Sequence, residues 1–542
     1  MSRARPDLVV VGQVLVAAEP TSAVRAEAIG IRDGRVAVSG SRTEVMAAAA
    51  PGARVLEAGD AAVIPGLHDF HIHLVGLART RSGVLLDDVA DAADLLARLR
   101  IAAANLGPGE WLTGRGWSEA NLGVVAPAAL EAAVGERPAF LSSHDGHSAW
   151  ASATARRLAG LTADTPDPAG GRIERLRDGE PAGILRETAL DLVSGLVPRA
   201  QGDALRPALE ATLAELRSYG LTGASEAGDY TDRNGIGADA ELGDSYSTLT
   251  DLADVVDGRF RMTLGIPVDA IGAAAARGLR TGVPLAGRRT MRFGWAKEYA
   301  DGALGSGTAA LFEPRTCGDR ESGILRVEPA ELDVLFAAAR RAGIGLAIHA
   351  IGDRAAATVL DAVDRAPARL PGVPRDRMEH LQLMRASDRH RLAELGVIAS
   401  IQPIHAAADR DLVEACWDGR QDDAYAWRAL ADGGALLAAG SDAPVESVNP
   451  WLGVFAAIHR RLPTDARDDW RPAQALGILE ALHAYTLGSA MAHGVGDEGH
   501  LRPGARADLA VLTVGLDALL AGEADFEAVR ADVVMIDGAL VE

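Results

Sequence analysis

Apolar and polar residues alternate with a period of two along Leu8–Val16 and again along Ala26–Gly40, where Asp33-Gly34 breaks the alternation as a hairpin turn would. Residues 8–64 therefore read as a small β module. The same style returns in Ala507–Thr513 and Val533–Val541. Residues 1–64 and 499–542 are accordingly expected to build one composite β-sandwich from both ends of the chain. The apolar run behind Met1-Ser-Arg-Ala-Arg-Pro is short, alternates like a strand and lacks a convincing cleavage site, so it reads as a strand rather than a signal peptide.

Between these ends, short apolar runs are separated by helical patterns. The runs are Val63–Leu74, Gly220–Glu226, Phe260–Ile266, Met291–Tyr299, Gly343–Ala350, Arg377–Leu383, Gly396–Gln402 and Ala435–Asp442, with amphipathic segments such as Glu331–Arg340 and Ala355–Ala366 between them. Eight such units predict an α/β fold with a (β/α)8 TIM-like barrel over residues 65–498. The stretch from about 78 to 218 is far too long for one crossover, so it is read as a subdomain inserted after the first barrel strand. Its turn-rich piece Gly170–Ile184 has the pattern of a hairpin.

Composition narrows the partners. A chain of 542 residues with 48% hydrophobic and 24% charged residues can bury a large core and suits a soluble enzyme. The net charge of -21 repels phosphate backbones and anionic lipid, so neither nucleic acid nor a membrane is an expected partner. No segment reaches the ~20 apolar residues of a membrane span. What remains is a small-molecule substrate, in a chain compatible with a homodimer. The two cysteines, Cys317 and Cys416, make no disulfide framework and suit a reducing cytoplasm.

Candidate chemistry centres on Lys297, the only lysine in a chain whose other basic side chains are all arginine. Arginine stays protonated, whereas a buried lysine can become neutral. A neutral amine can form a Schiff base, act as a general base or capture carbon dioxide as a carbamate. His71 and His73 stand two apart on an apolar strand, so both imidazoles face one side and can share a metal ion; two packed core histidines are the alternative. In the same register His349, His380 and Asp442 fall at the ends of the fifth, sixth and eighth strands, and Lys297 at the end of the fourth. Barrel active sites lie at that end. Nitrogen pairs and one carboxylate converging there suit a divalent metal, zinc above all, with Asp442 able to bind metal and shuttle a proton.

The segments Pro65–His73, Lys297–Ser306, Ile348–Asp353, Met378–Gln382, Ser400–Pro403, Gly440–Pro444 and Gly499–Leu509 resemble the amidohydrolase superfamily. Within it the chain resembles the long "amidohydrolase 3" branch, which includes N-substituted formamide deformylases. The resemblance implies a metal-dependent hydrolase that cleaves a C–N bond of an amide, formamide or cyclic amide by a metal-activated hydroxide. It implies His71, His73, His349, His380 and Asp442 as metal ligands and Lys297 as a carbamate, formed with carbon dioxide, bridging the ions. Glu298 stands where an apolar residue is more usual, which leaves one or two ions open. Asp145–Trp150 resembles the family's substrate-side loop and implies that His147 and Trp150 line the pocket. Gln402 and His405 are further candidates to touch substrate, whereas His144 and His483 are expected to be structural. A deaminase or esterase on the same scaffold, or a non-catalytic metal-binding regulatory protein, is the alternative function.

Overall fold

The computed structural model describes residues 5–541 except 82, 87, 108, 119–125, 145, 169, 199–200, 229–240 and 319. Its centre is an eight-stranded parallel sheet in sequential order, Leu67–Ile72, Leu221–Glu226, Arg261–Pro267, Met291–Tyr299, Leu346–Ala350, Arg377–His380, Ile398–Ile401 and Leu437–Ala439. These runs are apolar and buried because a barrel strand is covered on both sides. The last strand meets the first through short backbone bonds, Asp442 N–H to His71 O at 2.7 Å and His73 N–H to Ala443 O at 2.8 Å. Only glycine can stand at 440, since a Cβ there would lie 2.3 Å from His71 N. Closure of the sheet and placement of the candidate ligands therefore depend on the same few residues.

Helices such as Pro329–Ala342 and Asp353–Arg365 cover the outside, each burying one apolar stripe against the strands. Inside, Phe70, Trp295, Ala347, Ile398 and Ala438 fill the lower barrel. Successive inward residues on the fourth strand, Trp295 and then Lys297, take the chain from this packed floor to the mouth.

Both chain ends build one seven-stranded sheet, in which Leu8–Glu19 and Arg54–Pro65 run parallel at the centre and Leu509–Leu512 and Ala531–Ile536 continue beyond. Bulges bend the long strands, and the curled sheet encloses its own core, including Val10, Val14, Ile29, Val63, Leu509 and Met535. The turn at Asp33-Gly34 has positive φ at both residues, as a two-residue hairpin requires. Buried Arg261 on the third barrel strand pairs with Asp508 and Asp537, the latter at 2.6 Å, and so fastens this sheet to the amino-terminal end of the barrel.

After the first barrel strand, a six-stranded mixed sheet forms the insert, from Val84–Leu85 to the hairpin Gly171–Arg175 and Pro181–Glu187. The helix Arg206–Ser218 then packs Leu209, Leu213 and Leu216 into the barrel core and returns the chain to the second strand. The cysteine reading needs correction: Cys317 and Cys416, 99 residues apart in sequence, are bonded, with Cα atoms 4.6 Å apart. That bond ties the loop after the fourth strand to the helix after the seventh, and disulfides persist in oxidising rather than reducing compartments. No helix among the described residues is long and apolar enough to cross a membrane.

Candidate metal centre

The first barrel strand carries one residue more than its neighbour between Asp69 and Ile72. This bulge lets Phe70 fill the floor while His71 also faces inward. His73 caps the next helix, Leu74–Thr80, whose first amide, that of Leu74, donates to Glu226 Oε2 at 2.8 Å. Asp442 joins the pair, its Oδ1 lying 3.3 Å from both His71 Nε2 and His73 Nε2. Its other oxygen, Oδ2, is 3.2 Å from His405 Nε2 and 3.8 Å from His380 Nδ1. Burial opposes ionisation of Asp442, but His71, His405 and His73 hold it well below the usual carboxylate range.

His380 and Asp442 both adopt positive φ, 75° and 59°. Outside glycine that conformation carries strain, and it clusters where a side chain must be aimed. Because the chain leaves the strand at His380, this ring turns toward the same space as its predecessor Glu379. Glu379 Oε2 accepts from His71 Nδ1 at 2.5 Å and its other oxygen from Arg377, so His71 is left with Nε2 facing Asp442. Were zinc held here, Glu379→Gln would weaken its binding by about 10- to 100-fold. Competition against a chromophoric chelator would show it.

On the opposite wall Lys297 is fully buried, with Nζ 4.8 Å from the Tyr299 ring centre and no hydrogen-bond partner. Burial pushes its amine down to about 8. His349 is anchored by Nε2, 3.0 Å from Gly302 O, while its ring centre lies 4.6 Å from that of His380. Desolvation holds both imidazoles neutral by pushing their pKa values well below the usual range. Next to Gly302, the buried carboxylate of Asp301 accepts the amides of Ala310, Ile351 and Gly352 and so fixes the loop that presents that carbonyl. Burial raises the Asp301 pKa to about 7.

A cavity of about 610 Å³ opens above this cluster, and His73, Lys297, His349, His380, His405 and Asp442 all line it. His71 lies behind them, fully buried. The insert roofs the cavity with Phe140, His144, His147 and Leu190. His147 lines it, its Nδ1 3.0 Å from Glu187 Oε2; Asp145 of the same segment lies outside the described residues. Glu187 is held at about 2: burial opposes ionisation, but His147 and Thr308 outweigh it.

Two of the substrate-side candidates do not line the cavity. Trp150 is 2% exposed and packs in the core of the insert with Leu141, because its strand turns that face away from the barrel. Gln402, also 2% exposed, caps the next helix and folds its amide back onto Ser400 O at 3.4 Å. His144, expected to be structural, lines the cavity, whereas His483 does hold Ala18 O at 2.9 Å. Glu379, Gln382, Tyr299, Glu187 and Glu446 are the residues that sequence reasoning missed. Glu379, Gln382 and Tyr299 lie inside the segments that carry the resemblance, Met378–Gln382 and Lys297–Ser306, whereas Glu187 and Glu446 lie outside them.

Residues 54–542 match the amidohydrolase family. Protein LONG AFTER FAR-RED 3 of Arabidopsis thaliana is 30% identical over 498 residues, 90% of this chain and 84% of its own length. N-substituted formamide deformylase of Arthrobacter pascens is 28% identical over 513 residues, 90% of each chain. Among solved structures, an uncharacterized metal-dependent hydrolase from Pyrococcus horikoshii superposes with a TM-score of 0.71 at 25% identity, covering 92% of this chain and 96% of its own.

Proposed function

The chain belongs to the amidohydrolase family, and from that premise we propose that it hydrolyses a C–N bond of an amide, formamide or cyclic amide with the help of one or two divalent ions, zinc by preference. One observation carries the metal reading. His71 Nε2, His380 Nδ1 and Lys297 Nζ are buried without a hydrogen-bond partner among the described residues, and all three stand around the Asp442 carboxylate or the wall facing it. Buried polar atoms are otherwise nearly always satisfied. Three orphans of metal-binding type in one pocket fit a metal centre and fit a packed core poorly.

His71, His73 and Asp442 would hold one ion and His349 and His380 a second, with a carbamate on Lys297 shared between them. When bound, such ions supply Lewis acidity and make water reactive near neutral pH. The chain's own residues do the rest. Asp442, held anionic, takes a proton and returns it to the leaving nitrogen. Desolvation keeps His349 and His380 neutral, with lone pairs available. Phe140, His147 and Leu190 of the insert would lie beside a bound substrate and reduce its contact with bulk water.

Protein purified without a histidine tag is expected to carry about one to two divalent ions per chain by elemental analysis. It should also hydrolyse at least one of a panel of N-acyl amines, N-formyl amines and cyclic amides. No stoichiometric metal, with no activity gained on adding zinc or manganese, would sink the mechanism. Turnover confined to an aminopurine or an aryl ester would move the reading to the deaminase or esterase alternative, and metal without any turnover to the regulatory one.

A further inference from the structure

The polar residues at the rim of the cavity form a chain from the barrel to the insert. His405 lies in the short helix Pro403–Ala408 after the seventh strand and is 6% exposed. Its Nε2 stands 3.2 Å from Asp442 Oδ2, and its Nδ1 3.9 Å from Glu446 Oε1. The same Glu446 oxygen lies 3.5 Å from Nε2 of His144, which belongs to the insert. We propose that His405 is a positioning residue for Asp442 and fixes how that carboxylate is aimed.

Asp442 needs such help. It follows the last barrel strand, Leu437–Ala439, at positive φ; the bond from its N–H to His71 O fixes its backbone but leaves the side-chain torsion to be set by what its oxygens face. Its two oxygens face different neighbours. Oδ1 is directed at His71 and His73, and Oδ2 at His405. A donor on Oδ2 stops the carboxylate from rotating and keeps Oδ1 between the two histidines, as carboxylate partners do for metal-binding imidazoles. On the other side of the ring, Nδ1 lies 3.9 Å from Glu446 Oε1, beyond hydrogen-bond reach, so Glu446 acts on His405 through its charge alone.

This inference rests on the metal reading above, and zinc alone tests it without any substrate. His405→Phe keeps the ring volume and removes the donor, whereas His405→Gln keeps an N–H that can reach Oδ2. The Phe variant is expected to bind zinc about 10- to 100-fold more weakly and to show altered visible absorption when loaded with cobalt. His405→Gln should stay close to wild type in both, and Glu446→Gln should fall between. If His405→Phe does not fold, His405→Asn, too short to reach Oδ2, takes its place. Wild-type zinc affinity together with an unchanged cobalt spectrum in the Phe variant overturns the proposal. Loss of a whole equivalent of zinc in His405→Gln also overturns it, since His405 would then be a ligand. A wild-type chain that takes up no zinc at all overturns the metal reading, and this one with it.

Discussion

Asp442→Asn should lower turnover by about 10² to 10⁴ even in protein reloaded with excess zinc, because the change removes the proton acceptor while leaving the shape of the side chain intact. The geometry explains why an amide is a poor substitute. Asp442 presents Oδ1 to two imidazoles and Oδ2 to a third, and its negative charge survives burial because all three lie so close. An asparagine has one acceptor and one donor group. If its oxygen faces His71 and His73, its NH₂ meets the His405 nitrogen that held Oδ2, and one buried contact becomes repulsive. If it flips, the donor points at the metal position. Loss of zinc would add to the deficit, so metal content is measured on the same sample. A reloaded variant within tenfold of wild type on the best substrate of the amide panel would remove Asp442 from the chemistry.

How much of this site was legible follows from what each residue's signal depends on. His71, Lys297 and His349 were placed by the apolar runs around them, which a parallel barrel strand packed on both faces produces. His73, expected on the same strand as His71, lies just past its end as the cap of the next helix. Even so, alternation gives only part of the first strand. Phe70 and His71 are neighbours that both point inward, and only the bulge between Asp69 and Ile72 permits it. The sixth strand hides a second irregularity. Alternation sends Glu379 outward if His380 points in, yet positive φ at His380 brings both toward His71. Backbone departures of this kind have no periodic signature, and at non-glycine positions they leave no composition signature either.

The roof was less legible than the floor for a different reason. Residues at barrel strand ends inherit their position from a repeating architecture, but the insert has its own sheet and its own core. A motif such as Asp145–Trp150 gives the order of residues without saying which face of the strand Ser148–Ala151 meets the barrel. His147 precedes that strand and reaches the cavity, whereas Trp150, near its end, turns into the insert core. Glu187 and Glu446, which orient His147 and face His405, come from segments far away in sequence. The same holds for Cys317 and Cys416, since a single pair 99 residues apart has no spacing to read.

Replacing the only lysine should have an effect as large as replacing Asp442. The proposed carbamate forms when the neutral Lys297 amine adds to carbon dioxide and releases a proton, leaving one negative charge shared by two oxygens where a neutral amine stood. The environment makes that step feasible. Lys297 is fully buried and its Nζ has no hydrogen-bond partner. With burial pushing the amine down to about 8, about a tenth of it is neutral at pH 7, and the fraction rises with pH. Metal-stripped protein should therefore regain activity faster with bicarbonate than in buffer freed of carbon dioxide, and faster above pH 8 than at pH 7. Lys297→Arg keeps the length and the positive charge but offers only donors, so it should expel the ion nearest to it and abolish turnover. Lys297→Ala opens a gap beneath Tyr299, and short carboxylic acids that supply a pair of oxygens there should restore part of the activity. A structural lysine predicts the reverse on each count. Reconstitution would be indifferent to carbon dioxide, Lys297→Arg would retain its metal and its turnover, and acetate or propionate would do nothing for the alanine variant.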